Sequence, residues 1–191
     1  IERIMAKIDG DTEPDFIKSV EKATWQLLYD NGKNGRRTGL GFTALGDTVA
    51  ALGMGYDSND SIATIENIMK TKCEAEFNSS IDMAIERGAF VGFDEKIENT
   101  SEFVQMMQTE MPEIYERMMK HGRRNISIST VAPTGTLSML AQTSSGIEPV
   151  YLLSYTRRRK INPNDPNAKV SFTDDMGDNW EEFTVYHPKL K

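Results

Sequence analysis

Cysteine is almost absent from this chain: Cys73 stands alone among 191 residues. A single cysteine excludes an internal disulfide framework and a multi-cysteine metal site. Histidine is nearly as scarce, and neither His121 nor His187 has a partner at metal-ligand spacing. Positive charge is in deficit, with 22 Lys and Arg against 29 Asp and Glu and a net charge of -7. That balance argues against a general nucleic-acid or membrane-surface binder, since both need a basic excess, but leaves a local anion site open. No window approaches about 18 consecutive apolar residues, so no membrane span is expected. The opening IERIMAKIDGDTEPDF lacks the basic start and apolar core of a signal peptide, and a cytoplasmic location is the default expectation.

The composition that remains, 38% hydrophobic and 27% charged, is that of a globular domain long enough to bury a core. The chain starts on Ile1 and stops at Lys191 straight after the strand-like EEFTVYHPKLK, so a piece of a longer polypeptide is expected. Residues 1–122 read as mainly helical. Helices are expected over 14–30, with NGKNG at 31–35 as a stop, over 42–52, over 61–87 with Ser58 or Asp60 as N-cap and Gly88 as terminator, and near 100–109 and 112–121. In the long helix Ile65, Met69, Cys73, Phe77, Ile81 and Ile85 recur every four residues. Each step overshoots a turn by about 40°, so the stripe winds around the axis and faces more than one neighbour, or the helix bends. The methionines at 106, 107, 111, 118 and 119 read as adaptable core filler, and Cys73 as a structural thiol.

Residues 123–191 change character. Ile126 to Val131 alternate with period two, placing Ile126, Ile128 and Thr130 on one face and Ser127, Ser129 and Val131 on the other. A strand near 149–156, a basic run Arg157–Lys160, a Pro/Asn-rich loop, a short helix near 178–183 and a final strand are expected to follow. Between the period-two run and a helix stand Ala132, Pro133, Thr134, Gly135, Thr136, Leu137 and Ser138. A helix start there would leave backbone N–H groups unpaired and attractive to an anion. Gly135 would admit a ligand to the backbone, and the hydroxyls of Thr134, Thr136 and Ser138 could cap the helix or donate to phosphate oxygens. On these residues alone a plain N-cap fits somewhat better than an anion cradle, because no Walker lysine is present. TGLGFTALG at 38–46 has the wrong spacing for a dinucleotide fingerprint and reads as close packing. Arg36–Arg37, Arg123–Arg124 and the 157–160 run could neutralise phosphates, or serve as solvated ends and subunit contacts. Glu148 in SGIEP has no assignable role.

NISISTVAPTGTLSMLAQTSSGIEPVY (125–151) resembles the phosphate-loop segment of ribonucleotide reductase large chains, above all those of class II, which depend on adenosylcobalamin. GRRTGLGFTALGDTVAALGMGYDS, RRRKINPND and GDNWEEFTVYH are similar to the same family, in the family's order. The resemblance implies a helix-rich part of a ten-stranded α/β barrel. The implied reaction replaces the ribose 2′-hydroxyl by hydrogen through a cysteine thiyl radical, with a cysteine pair as reductant and adenosylcobalamin as radical source. It implies a ribonucleotide held by its phosphates at Ala132, Pro133, Thr134, Gly135, Thr136, Leu137 and Ser138. Gly135 and Leu137, where class I chains carry more polar residues, favour class II. The family's N-x-C-x-E radical loop is absent, Cys73 does not match it, and one cysteine cannot form the redox pair. The expected object is therefore one domain from the later part of the barrel, inactive by itself. It would carry no catalytic residue and no metal, would bind no cobalamin alone, and would work with the rest of the reductase chain in a possible homodimer. In the barrel the serine face of 126–131 is expected to line the interior, with the isoleucines against outer helices. A class I or anaerobic chain, or a non-catalytic helical interaction module, are the alternative readings.

Overall fold

The computed structural model describes residues 1–162 and 168–187. In chain order the elements are α1 (Glu2–Asp9), α2 (Asp15–Gly35), α3 (Leu45–Ala51), α4 (Asn59–Arg87), α5 (Glu95–Glu98), α6 (Glu102–Glu110), α7 (Pro112–His121), α8 (Gly135–Ala141), β1 (Ser154–Lys160), β2 (Phe172–Thr173) and β3 (Asn179–Tyr186). They fall into two compact units, residues 1–41 with 64–130 and residues 42–63 with 131–191. Most of the expected Pro/Asn-rich loop lies outside the described residues.

The first unit is built on α4. Ser58 is its N-cap, accepting the Ser61 N–H at 3.2 Å, and Gly88 ends it at φ +81°. Phe77 and Ile81 of α4 pack with Val104, Met107, Met111, Ile114, Met118 and Ile128. The every-fourth stripe drifts as its period requires: Ile81 is fully buried, Ile85 is 53% exposed, and Ala84 takes the inward place. Met107 and Met118 are fully buried and fill gaps between α4, α6 and α7. Helix α2 overruns the expected stop at 31–35 and reaches Gly35; only Arg36, at φ +47°, turns the chain. Pairs four residues apart offset its poor formers: Gln26 donates to Asp30 at 3.0 Å, and the Lys33 ammonium lies 5.8 Å from the Tyr29 ring centre.

The expected strand over 126–131 is extended chain with one isolated parallel bridge, Leu40 to Ser129. Its backbone bonds are few: the Ile126 N–H donates to Gly35 O, Thr38 to Ser127 O, Leu40 to Ile128 O and Thr130 to Leu40 O, at 2.8–3.1 Å. The partner is too short for a ladder, because Gly39 and Gly41 flank Leu40 and lie against Thr130. A Cβ on Gly41 would stand 2.8 Å from Thr130 O. Ile128 packs against helices α4, α6 and α7, and the Ser129 hydroxyl also meets α4, accepting from Lys72.

In the second unit the sheet has order β1-β3-β2 and is antiparallel. The strand expected near 149–156 lies later and contains the basic run. The register explains this: Arg158 stands opposite Glu182 and Arg159 opposite Glu181, each at 2.6 Å, and Lys160 reaches Asp178. The helix expected near 178–183 is instead part of β3. Trp180 is tied across the sheet, stacked on Phe172 at 6.3 Å, with its indole N–H donating to Asp174 at 2.7 Å. No helix among the described residues is long and apolar enough to cross a membrane.

Candidate phosphate-binding loop

Residues 132–138 lie in the second unit and lead into α8. Thr134 holds an αL backbone, φ +47° and ψ +28°, an uncommon state for a β-branched residue. Two hydrogen bonds hold it there. Its hydroxyl accepts the Gly146 N–H at 2.6 Å and donates to Thr43 Oγ1 at 2.9 Å. Thr43 in turn donates to the Ser144 carbonyl at 2.9 Å. Asp47 on α3 completes the clamp: its carboxylate accepts the Ser144 N–H at 3.0 Å and lies 3.2 Å from His187 Nε2. The Tyr56 hydroxyl donates to the Ile147 carbonyl, and Gly46 packs so closely that a Cβ would stand 2.7 Å from Glu148 O.

This clamp divides the three hydroxyls that the sequence offered equally. Thr134 is committed to shaping the loop. The buried Ser138 donates to Gly135 O at 2.8 Å, inside its own helix. Neither they nor Thr136 caps α8. Thr136 is exposed, and its hydroxyl has no partner among the described residues. The N–H groups of Gly135, Thr136 and Leu137 likewise meet no acceptor there, because the first α8 bond runs from the Ser138 N–H to Thr134 O at 2.8 Å. A Cβ on Gly135 would meet nothing within 4 Å, so the backbone is open on that side. Ala132 is half-buried, while Pro133 and Leu137 are exposed. Three N–H groups and one hydroxyl are therefore unpaired among the described residues. Beside α8 a cavity of about 660 Å³ is lined by Ser138, Thr143, Tyr151, Tyr155 and His187 among others. The Glu148 carboxylate folds back over Gly146.

The model of the ribonucleotide reductase barrel domain matches residues 15–176. The chain belongs to that family. Among its relatives is a vitamin B12-dependent ribonucleoside-diphosphate reductase of Mycobacterium tuberculosis, 31% identical over 144 residues, 75% of this chain and 18% of that protein. The protein of the same name from Thermoplasma acidophilum is 30% identical over 64% of this chain and 14% of its own length. The ribonucleoside-diphosphate reductase subunit alpha of Treponema pallidum is 24% identical over 65% of this chain and 15% of its own length. The chain thus spans under a fifth of the length of these relatives.

The lone cysteine and the basic run also find structural places. Cys73 sits mid-helix on α4, half-buried against the core and beside a cavity of about 500 Å³. Burial and then the neighbouring Glu76 carboxylate push its thiol pKa up, which disfavours the thiolate. The basic run of β1 is answered by carboxylates, except Arg157, and forms no anion cradle among the described residues. Sequence reasoning passed over Thr43, Asp47 and Ser144, because their partnership joins positions about a hundred residues apart.

Proposed function

We propose that this chain supplies the substrate-phosphate seat of a ribonucleoside di- or triphosphate reductase of the class that uses adenosylcobalamin. The observation that carries the reading is the loop over 132–138 in a chain of this family, with unpaired N–H groups at Gly135, Thr136 and Leu137 beside the free Thr136 hydroxyl. These donors suit phosphate oxygens, and the partial positive charge at a helix start adds attraction. Seating the phosphates fixes where the ribose stands, and proximity of that kind is a large share of catalysis. Within this reading Ala132, Pro133, Thr134 and Ser138 shape the seat, and Gly135, Thr136 and Leu137 donate to the ligand.

Adenosylcobalamin would supply the radical that starts the reaction. The two histidines here do not fit a cobalt ligand: His187 Nε2 faces Asp47, and His121 is exposed at the end of α7. The cofactor's contacts, and the cysteines of the radical and redox steps, belong in this reading to other parts of the reductase. The wider setting, a ten-stranded α/β barrel in a possible homodimer, is part of the same proposal. The Treponema relative keeps a class I or anaerobic chain as the second reading, and Gly135 and Leu137 weigh against it. A non-catalytic helical module leaves the open donors unexplained.

The test is Thr136→Ala in a full-length reductase carrying this segment. Loss of one hydroxyl donor to a charged oxygen predicts KM for the nucleotide raised about tenfold, with kcat changed less. Unchanged KM, with no protection of the loop by nucleoside diphosphate, would overturn the reading in favour of the module.

A further inference from the structure

The first unit gathers cations that have no carboxylate. Of the other described arginines, Arg117 is answered by Asp82, Arg123 by Glu98, Arg158 by Glu182 and Arg159 by Glu181, while Arg3 and Arg157 stand singly. Arg36, Arg37 and Arg124 have no ion-pair partner among the described residues, and Arg87 only approaches its neighbour Glu86, at 3.8 Å. All four line one hollow of about 300 Å³, with Thr38 and Asn125 at its wall and no acidic side chain in the lining. Three separate pieces of chain bring them together: the end of α2, the end of α4, and the segment after α7. In a protein with net charge -7, this convergence runs against composition.

Helix capping accounts for part of it. Arg124 Nη1 donates to the carbonyls of Arg87 and Gly88, both at 2.8 Å, and so closes α4. Capping explains one guanidinium and leaves three. Like charges at this range repel, and the Arg124 guanidinium shows it: its pKa is pushed down by desolvation first, then by Arg36 and Arg87. Asn125 does little to relieve the hollow, because its acceptor Oδ1 takes the Ser80 hydroxyl at 2.9 Å while its Nδ2 donates to Arg36 O at 2.9 Å.

We propose that the hollow framed by Arg36, Arg37, Arg87 and Arg124 is a second anion site, one that takes a phosphate group of charge about −2. Guanidinium forks match phosphate oxygens in pairs. A tetrahedral dianion carries more charge and more acceptor oxygens than a single carboxylate, and so can answer several cations at once. The hollow's size suits a phosphate group or the end of a diphosphate. The site shares no residue with the 132–138 loop and does not rest on the function proposed for it.

The test uses the 191-residue chain and inorganic phosphate. Thermal unfolding is followed in sodium phosphate and in sodium chloride of equal ionic strength, because salt alone screens the repulsion. Phosphate should raise Tm beyond the chloride control by mass action. Arg36→Gln should raise Tm in chloride, by relieving repulsion, and should diminish the phosphate-specific rise, with affinity down about tenfold. Arg37→Gln, at an exposed position, gives the same readout if Arg36→Gln folds poorly. The series is run in a Thr136→Val background, which weakens the 132–138 loop as a competing phosphate seat. A rise in that background that neither arginine substitution diminishes overturns the proposal. So does a chain whose Tm is the same in phosphate and in chloride.

Discussion

Replacing Arg123 tests how the first unit is held together. Its guanidinium donates to both oxygens of Glu98 at 2.7 and 2.9 Å, and to Ile126 O at 2.8 Å. The two side chains keep only 11% and 8% of their exposure. The cation lies 5.4 Å from the Phe90 ring centre and 5.9 Å from that of Phe77. Arg123→Met keeps the apolar stem between those rings but strands the Glu98 carboxylate. Breaking one side of a buried pair costs about 3–5 kcal/mol, a large part of a stability of about 5–15 kcal/mol. Glu98→Leu alone strands the guanidinium and should cost a similar amount. The double variant strands no charge, so it should be more stable than the sum of the two single losses by about 2 kcal/mol or more. Urea unfolding followed by far-UV circular dichroism, with m-values compared, measures all four corners. Losses that simply add, within about 0.5 kcal/mol, would refute a coupled buried pair.

Two further predictions concern single positions. Gly46→Ala drives a Cβ to 2.7 Å from Glu148 O and Pro149 Cα, both backbone, and should cost about 1–3 kcal/mol; Gly135→Ala meets nothing within 4 Å and should unfold within about 0.5 kcal/mol of the parent. Equal urea midpoints for the two variants would refute the packing argument. The raised pKa of Cys73, caused first by burial and then by Glu76, predicts slow alkylation by iodoacetamide at neutral pH and a rate that has not levelled off by pH 9.0, the ordinary value for the group; Glu76→Gln should move the profile to lower pH, and an unmoved profile would exclude the carboxylate as a cause.

What the sequence disclosed was mostly local. Ser58, Gly88 and Pro112 mark helix ends through short-range chemistry, and α4 and α7 lie close to the expected bounds. The four-residue stripe even carried its own failure, since the drift that exposes Ile85 follows from its period. Expectations broke where partners are distant. The run 126–131 looks like a full strand, but strand pairing depends on a neighbour, and Gly39–Leu40–Gly41 supplies one bridge. The segment 178–183 carries helix-compatible residues, yet its carboxylates face arginines about twenty residues earlier, and that pairing makes it strand. The loop was found by its residues and its family likeness, whereas the split of labour between Thr134 and Thr136 required knowing where Gly146 and Thr43 lie.

Charge runs proved a poor guide to anion sites, for a physical reason. The run Arg157–Lys160 is the most basic stretch of the chain, and three of its four cations are answered across the sheet by Glu181, Glu182 and Asp178. A strand places successive side chains on alternate faces, so four consecutive cations cannot converge on one ligand. The loop offers donors without a cation: the N–H groups of Gly135, Thr136 and Leu137 and the Thr136 hydroxyl have no partner among the described residues. In the hollow of the first unit, cations converge because α2 and α4 both end beside the segment after α7, although the four arginines are scattered from 36 to 124. Donors left unanswered, rather than local density of charge, separate both candidate sites from the basic strand. Where the chain is acidic overall, an unanswered positive convergence is the feature that carries information.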